Sequence, residues 1–333
     1  MAHLPVTVLS FRFPSTRTDV KDGGIGHVDP DNLDGRVAVV TGGALGIGYE
    51  ISRALALAGV KVIMVNRKEE QGSKAISDNK KEKEDAQVER KEAMQLRQPQ
   101  GGEGGFLRPA LLAGPSRLPH SVRRHQHQFY SEDADGIDRH FGVNYLGHYY
   151  MDTSPKPRVV FLSSEMHRFA PPNVNFGSLE EINDKYMDGT RLYARTKLAM
   201  ILCAKFGLRD RVIKPNGDKI YALAVHPGAV NTAMQQQWKD AYPGITGKLL
   251  SNAMLFAGRD VEQGSFSALW AATSPEIEEK DMNGWYFNDP GQPGKETSQA
   301  SDPALGAALW DLSERLVKGK LGEDALLDWN KEE

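Results

Sequence analysis

Tyr193 and Lys197 are the residues whose types and spacing point most directly to chemistry. They stand four positions apart in the segment YARTK, so on a helix both side chains would lie on one face, with the ammonium near the phenol. An ordinary phenol has a pKa of about 10, and a neighbouring cation lowers it towards the range in which it can exchange a proton at neutral pH. The pair therefore predicts a general acid/base, although this spacing also arises by chance.

Ser163 and Ser164 end the apolar run RVVFLSS, which has the composition of a buried strand. A hydroxyl beside a phenol can hold a substrate carbonyl while hydride reaches its carbon from a cofactor. The alternative is that either serine merely caps the strand. Serine, tyrosine and lysine together are more specific than any one of them.

A glycine-rich loop, TGGALGIG, covers residues 41–48 between the apolar run RVAVV and the helical pattern YEISRALALAGV. Gly42 would permit a tight turn, Gly46 would let the backbone approach a pyrophosphate, and Gly48 would let the helix pack close to the strand. The free N–H groups at the helix start would bind the anion. The context favours a dinucleotide site over a turn with incidental glycines, with binding residues Thr41, Gly42, Gly46, Ile47 and Gly48.

The second apolar run, KVIMV, is followed by Asn66 and Arg67. Folds that prefer NAD usually place an acidic side chain here for the ribose 2′-hydroxyl, whereas an arginine can pair with a 2′-phosphate. The sequence therefore favours NADP(H), with NAD as the less favoured cofactor. The alternative is a surface arginine at the end of a strand.

Five segments, TGGALGIG, VNYLGHYY, VVFLSS, YARTK and HPGAVNT, follow one another along the chain. In this order they resemble the short-chain dehydrogenase/reductase family, and are most similar to the branch that contains retinol dehydrogenases and the WW-domain oxidoreductase. The likeness covers about residues 35–288, apart from two aberrant stretches. The long interval between Ser164 and Tyr193 is also similar to that branch.

The resemblance assigns roles to matching residues. It implies that Tyr193 is the catalytic acid/base, that Ser164 polarises the carbonyl or alcohol, and that Lys197 binds the nicotinamide ribose and lowers the phenol's pKa. It implies a proton relay through water supported by Asn144, while HPGAVNT closes over the nicotinamide. The additional cofactor contacts that it implies are Asn144, Tyr193, Lys197, Pro227, Gly228, Val230 and Thr232. His226 is expected to be an ordinary loop histidine.

Alternating strand and helix patterns predict an α/β fold, a single Rossmann-like doubly wound parallel sheet with helices on both faces. The domain is expected to span residues 31–333, after a flexible N-terminal arm at 1–30. The charged segment 68–92 is interpreted as a solvated helix, and the patterns further predict helices over 261–273 and at the C-terminus.

Two stretches depart from the family. Residues 93–128 have no helical or strand period and carry five arginines against one acid, so they should be irregular. We hypothesise that they are translated from a shifted reading frame: VRRHQH written GTC CGC CGG CAT CAA CAC, with the first base of the codon for Gln128, gives Ser-Ala-Gly-Ile-Asn-Thr from its second base. The helix after residue 151 is also shortened, which puts the family's homodimer in doubt.

Several functions are disfavoured. The net charge of −3 gives no general attraction to nucleic acid, and Arg123 and Arg124 belong to no recognisable nucleic-acid module. His125 and His127 lack nearby Cys or carboxylate partners, so no metal site is expected. No segment reaches membrane-spanning length, and with a single cysteine, Cys203, a cytoplasmic location is expected.

The expected activity is interconversion of an alcohol and a carbonyl on a small molecule. Residues 234–281 are expected to form the substrate lid, and they include apolar residues such as Trp238, Leu249 and Phe256. The substrate is therefore expected to be lipophilic. Two alternatives stay open: a catalytically impaired remnant and a cofactor-sensing binding protein.

Overall fold

The computed structural model describes residues 33–92, 137–138, 141, 158–230, 259–323 and 326. Their strands form two blocks. In the first, β1, β2 and β3 lie in that order and are parallel; in the second, the order is β4-β5-β6-β7, with only β7 antiparallel. The strands are β1 (Val37–Thr41), β2 (Lys61–Asn66), β3 (Val88–Glu92), β4 (Arg158–Leu162), β5 (Tyr221–Val225), β6 (Tyr286–Asp289) and β7 (Gln292–Pro293).

Helices connect and cover the strands. The α-helices are α1 (Ile47–Leu57), α2 (Glu69–Glu82), α3 (Leu179–Ile182), α4 (Gly189–Leu202), α5 (Lys214–Asn216), α6 (Val261–Thr273), α7 (Glu276–Glu279) and α8 (Pro303–Leu321). Short 3-10 turns occupy Glu165–Phe169 and Gln299–Ser301. The predictions of helices at 261–273 and at the C-terminus are confirmed by α6 and α8.

Helices pack on both faces of the sheet. Alternate residues of β4 and β5 enter different cores: Phe161 and Ala224 pack with α4 and α8, whereas Leu162 and Val225 pack with α1, α6 and the first block. A strand buried on both faces reads as a continuous apolar run, as RVVFL and YALAV do. The predicted Rossmann-like α/β architecture with helices on both faces is confirmed, but the described strands form two hydrogen-bonded sheets rather than the single sheet predicted, and β7 is antiparallel.

The interpretation of residues 68–92 as one solvated helix is wrong in its second half. Helix α2 ends at Glu82, and Val88–Glu92 form β3, which pairs in parallel with β2 from Val62↔Val88 to Asn66↔Glu92. Lys61 bridges to Glu89 across these strands at 2.8 Å, and the Arg90 side chain lies over Gly72 of α2. A strand whose charged side chains lie along neighbouring elements lacks the apolar alternation by which strands are recognised.

The long helix predicted from LYARTKLAMILCAKFGL exists, but its second half is wider. After Leu202 the helix continues with π-type hydrogen bonding over Cys203–Ile213. Within this part, a β-carbon on Gly207 would lie 2.4 Å from Cε3 of Trp310, so only glycine lets α8 approach this closely. The sequence pattern could not predict this change of helix type, because the spacing of apolar residues barely distinguishes an α-helix from a π-helix.

The N-terminal arm (1–30), the segment 93–128 and the shortened helix after 151 lie outside the described residues, and these predictions stay untested. Among the described helices, none has the length and apolar composition needed to cross a membrane.

Candidate active site

The glycine-rich loop forms the predicted turn between β1 and α1. Gly42, with φ of 64°, donates its N–H to the carbonyl of Val65 at 2.7 Å, which ties the loop to β2. Gly46 has φ of 60°, and a β-carbon there would meet nothing within 4 Å. Gly46 thus adopts a conformation that favours glycine beside open space, as close approach of a ligand to the backbone requires.

Helix α1 begins at Ile47 directly after this glycine. Its N-cap, Gly46, offers no side-chain oxygen to the first N–H groups, so their hydrogen-bonding capacity and the positive end of the helix dipole face whatever lies beyond the loop. Ile47 and Gly48 are buried in the first turn, whereas Thr41 ends β1 and is partly exposed. The structure brings the predicted phosphate-binding residues together at one anion-competent helix start.

Gly43 has a structural role that the sequence reasoning missed. A β-carbon there would lie 2.7 Å from Ser52 Oγ and 2.9 Å from the backbone oxygen of Val40. Ser52 in turn donates to the carbonyl of Gly48 at 2.9 Å. Gly43 therefore provides a close contact between the loop and α1. The pair of adjacent glycines at the end of the strand was the sequence feature that could have indicated this close contact.

Asn66 and Arg67 lie where β2 ends. Asn66 is buried and donates through Nδ2 to the carbonyl of Lys68 at 2.6 Å, while its Oδ1 has no partner among the described residues. The Arg67 side chain is exposed. An exposed arginine and a buried acceptor thus stand at the end of β2, the strand next to β1.

Ser163 and Ser164 follow β4 and differ in role. Ser163 donates through Oγ to the carbonyl of Lys197 at 2.7 Å and so ties the end of β4 to α4. Ser164 caps the 3-10 turn, with its Oγ accepting from the Met166 N–H at 3.2 Å. Ser163 is committed to the scaffold, while the Ser164 hydroxyl keeps its own hydrogen to donate.

Tyr193, Lys197 and Ser164 meet as predicted. The Tyr193 hydroxyl hydrogen-bonds with the Ser164 side chain, and Lys197 Nζ lies 5.2 Å from the centre of the Tyr193 ring. Lys197 is buried and donates through Nζ to the carbonyl oxygen of Leu162 at 2.7 Å. Both side chains project from one face of α4 towards the end of β4, so a phenol, a hydroxyl and an amine share one site.

The predicted lowering of the phenol's pKa is absent in the protein alone. Although part of Tyr193 is exposed, burial raises the pKa of its hydroxyl, and the Ser164 hydrogen bond offsets this only in part. Burial also lowers the pKa of Lys197 to about 7. A low-dielectric site disfavours the charged form of each group, so Lys197 cannot supply a permanent cation here. The correction follows from burial, which spacing in a sequence does not report.

The loop after β5 carries the rest of the predicted cofactor contacts. His226 donates its backbone N–H to the carbonyl of Phe287 at 2.7 Å, Gly228 has φ of 85°, and Val230 forms a single parallel bridge with Arg259. Pro227 lies between them. Burial lowers the pKa of His226 to about 4, and its Nδ1 accepts from the Glu165 N–H at 3.4 Å. His226 is thus a neutral loop histidine, as expected.

Gly264 of α6 joins the two loops, which sequence reasoning did not anticipate. A β-carbon on Gly264 would lie 2.5 Å from Cγ2 of Val230 and 3.3 Å from Cγ1 of Ile47. Ile47 opens the glycine-loop helix and Val230 belongs to the loop after β5, so both loops pack against one residue. The site is therefore a convergence of loops rather than separate features.

Asn144 and Thr232 lie outside the described residues. Asp138, six positions before Asn144, is fully buried and accepts from the Phe141 N–H at 3.0 Å and from Arg195 Nη2 at 3.3 Å. Arg195 lies between Tyr193 and Lys197 in sequence, so α4 is tied to Asp138 and through it to Phe141. In the described part of the chain, no group of three or more His, Cys, Asp or Glu could hold a metal ion.

Comparison with known proteins agrees with this geometry. A family model described as short chain dehydrogenase matches residues 36–95. A short chain dehydrogenase/reductase of Colletotrichum higginsianum is 29% identical over 317 residues, covering 87% of this chain and 76% of that protein. The chain belongs to the short-chain dehydrogenase/reductase superfamily. The family model's match ends close to where residues 93–128 begin.

Further relatives place this short-chain dehydrogenase/reductase in the predicted branch. WW domain-containing oxidoreductase of Homo sapiens is 29% identical over 318 residues, covering 88% of this chain and 71% of that protein. Polyprenol dehydrogenase of Danio rerio is 29% identical over 314 residues, covering 87% and 89%. The fold is shared with the crystal structure of an uncharacterized protein from Mycobacterium paratuberculosis, with a TM-score of 0.57, 24% identity, and 86% and 95% coverage. The chain is therefore an oxidoreductase by family.

Proposed function

We propose that this oxidoreductase interconverts an alcohol and a carbonyl on a lipophilic small molecule with NADP(H) as cofactor. The observation that carries the proposal is the meeting of Tyr193, Ser164 and Lys197 at one site. The phenol and the serine hydroxyl carry one hydrogen each, so both can donate to one substrate oxygen once that oxygen replaces the bond between them. Membership of the superfamily supports this arrangement as a redox site rather than an incidental polar cluster.

The residues present fit a dinucleotide. The uncapped start of α1 and the open space at Gly46 suit a pyrophosphate, because free N–H groups at a helix N-terminus bind anions. Exposed Arg67 suits a ribose 2′-phosphate, with which a guanidinium forms paired hydrogen bonds. NADP(H), when bound, supplies or accepts the hydride.

The chain's own residues would handle the substrate oxygen and its proton. Ser164 would donate to the carbonyl oxygen, and Tyr193 would give its phenolic proton to the same oxygen in reduction and take it back in oxidation. Lys197, when protonated, would stabilise the resulting phenolate. Its pKa of about 7 means that the pH and the binding of an anionic cofactor both control this charge. Asn144 keeps its role in a proton relay as part of the proposal.

The lipophilic substrate class has support from one relative. Polyprenol dehydrogenase of Danio rerio, 29% identical to this chain, is named for a long-chain alcohol. The apolar residues expected in the lid, Trp238, Leu249 and Phe256, lie outside the described residues. We propose a lipophilic primary or secondary alcohol and its aldehyde or ketone.

A titration and a turnover assay together test the proposal. We expect NADPH fluorescence to show saturable binding to the purified full chain, and NADPH to be consumed with members of a panel of lipophilic aldehydes and ketones. Binding without turnover on the panel would favour the cofactor-sensing alternative. No binding would favour the impaired remnant, which the aberrant segment 93–128 motivates.

A further inference from the structure

The Ser164 hydroxyl is oriented by a short turn that follows it. Ser164 has an extended backbone with φ of −164° and ψ of 153°, and it caps the 3-10 turn Glu165–Phe169. Its Oγ accepts from the Met166 N–H at 3.2 Å and meets the Tyr193 hydroxyl. Donation into an oxygen makes its own O–H a stronger donor. The position of this turn therefore affects both the direction and the donor strength of the hydroxyl.

His167 binds the backbone of the same serine twice. Its backbone N–H donates to the Ser164 carbonyl oxygen at 3.0 Å, and its ring Nδ1 lies 2.7 Å from that oxygen. A carbonyl oxygen only accepts, so Nδ1 carries the hydrogen. Two donors on one carbonyl fix the peptide plane between Ser164 and Glu165, and with it the direction of the Ser164 side chain.

Tyr286 of β6 holds the turn against the sheet. Its ring packs edge-on against the His167 ring, with centroids 5.2 Å apart, and its hydroxyl donates to Glu165 Oε1 at 3.0 Å. Arg168 Nε donates to Glu165 Oε2 at 2.5 Å. The residues on either side of Met166 are thus tied to a rigid strand, so the turn and His167 move little relative to Ser164.

Burial of the His167 ring costs free energy that burial of an apolar side chain of the same size would not. The residue is fully buried, and burial lowers its pKa, so it is neutral despite Glu165 and Glu296 nearby; Arg168 is the cation that faces it. Its Nε2 has no partner among the described residues. A buried acceptor without a hydrogen bond costs about 1–3 kcal/mol, whereas an apolar side chain of this size would fill the space without that cost.

We propose that His167 is a positioning residue for the active site: its Nδ1–H holds the Ser164 carbonyl and so keeps the Ser164 hydroxyl against Tyr193. His167 does not contact the reacting atoms and acts only through Ser164. The inference rests on the proposed function for its kinetic consequence, but the hydrogen-bond geometry that it describes exists independently of any substrate.

Two substitutions of similar size separate the donor from the packing. In His167→Asn the amide nitrogen can take the place of Nδ1, whereas His167→Leu removes the donor and keeps the volume. We expect His167→Leu to lower kcat about ten- to a hundredfold, because small displacements of a catalytic group have effects of this size, with NADPH affinity unchanged. His167→Asn should recover most of the loss. Equal kcat in the parent and His167→Leu, or equal losses in both variants, would overturn the proposal.

Hydrogen exchange at the Met166 amide gives a readout that needs no substrate. We expect this N–H, which donates to Ser164 Oγ, to exchange about tenfold faster in His167→Leu than in the parent or in His167→Asn. Unchanged exchange in His167→Leu would refute the positioning role even in a chain without activity. Absence of NADPH binding and turnover in the parent would refute only the proposed function.

Tyr286→Phe provides the same test where His167→Leu does not fold. It removes only the bond to Glu165 and keeps the ring against His167, so we expect faster exchange at Met166 and a smaller loss of kcat. If Tyr286→Phe matched the parent in both measurements, the proposed support of this turn would be wrong.

Discussion

Lys197 Nζ lies 5.2 Å from the centre of the Tyr193 ring, and both groups are held in an environment that disfavours their charged forms. The site therefore stores electrostatic free energy in the protein alone. A protonated Lys197 would become favourable once negative charge is present beside it. Binding of an anionic cofactor and formation of a phenolate are both such events, so the lysine is suited to respond to them.

Replacement of Lys197 by Met should make the fold more stable at pH 7. The amine has a pKa of about 7 in the folded chain against an ordinary value of 10.5, so between these pH values the unfolded chain binds a proton that the folded chain does not. The parent's unfolding free energy then rises with pH over this window. We expect Lys197→Met to gain on the order of 2 kcal/mol at pH 7, allowing for the lost bond to Leu162.

Urea denaturation at pH 7, 8, 9 and 10 measures this effect. The advantage of Lys197→Met should shrink steadily towards pH 10, while Lys219→Met, at an exposed position, should follow the parent throughout. A variant less stable than the parent at pH 7 would show that the buried amine is not a source of strain.

Gly46→Ala should weaken NADPH binding without unfolding the chain. Gly46 and Gly217 both have positive φ and open space at the β-carbon position, so alanine at either should cost about 1–3 kcal/mol of stability through backbone strain alone. Only Gly46 stands at the start of α1. We expect Gly46→Ala to raise the Kd for NADPH by more than about tenfold, as loss of one or more charged hydrogen bonds would, and Gly217→Ala to leave it unchanged.

Fluorescence titration of both glycine variants, with thermal unfolding as the fold control, decides the point. Equal NADPH affinity in the two variants would remove the phosphate role from the glycine loop.

Arg67→Ala should change cofactor preference. A guanidinium paired with a 2′-phosphate contributes a charge-assisted hydrogen bond, so its loss should raise the Kd for NADPH about tenfold and leave the Kd for NADH unchanged. Lys68→Ala, the adjacent exposed position, serves as the control and should have a smaller effect on NADPH. Parallel titrations with both cofactors measure the ratio. A parent that prefers NADH would contradict the assignment of Arg67.

The reading-frame hypothesis for residues 93–128 makes a prediction about nucleotides. We expect the second frame of the codons for 122–128 to spell Ser-Ala-Gly-Ile-Asn-Thr, and that of the codons from 94 to spell Cys-Asn-Phe-Gly-Asn-Leu-Lys-Glu. Sequencing of the genomic DNA and of the transcript across residues 85–160 provides the test. A different second-frame sequence would end the hypothesis and leave the segment as a genuine feature of this chain.

Much of the fold followed from local patterns. The runs RVAVV, KVIMV, RVVFL and YALAV are apolar along their length, as is typical of strands in a parallel sheet covered by helices, and all four form strands. The strand Val88–Glu92 was not predicted, because its residues are charged and its position depends on pairing with β2, which is a tertiary contact. The short strand β7 is likewise defined by its partner β6.

For three residues of the candidate site, the sequence predicted their meeting but not their electrostatics. Tyr193, Lys197 and Ser164 were predicted to meet and do. The raised pKa of Tyr193, the lowered pKa of Lys197 and the support of Ser164 by His167 and Tyr286 depend on burial and on contacts between distant segments, which one sequence does not report. Gly264 was missed for the same reason, because its need for glycine arises from Ile47 and Val230 across the fold.

Turnover by Tyr193→Phe tests the central claim most directly. The variant keeps the ring and removes the hydroxyl that exchanges the proton, so we expect NADPH still to bind saturably and kcat on lipophilic carbonyl compounds to fall about 10²- to 10⁴-fold. A Tyr193→Phe variant that reduces these compounds as fast as the parent would contradict the account.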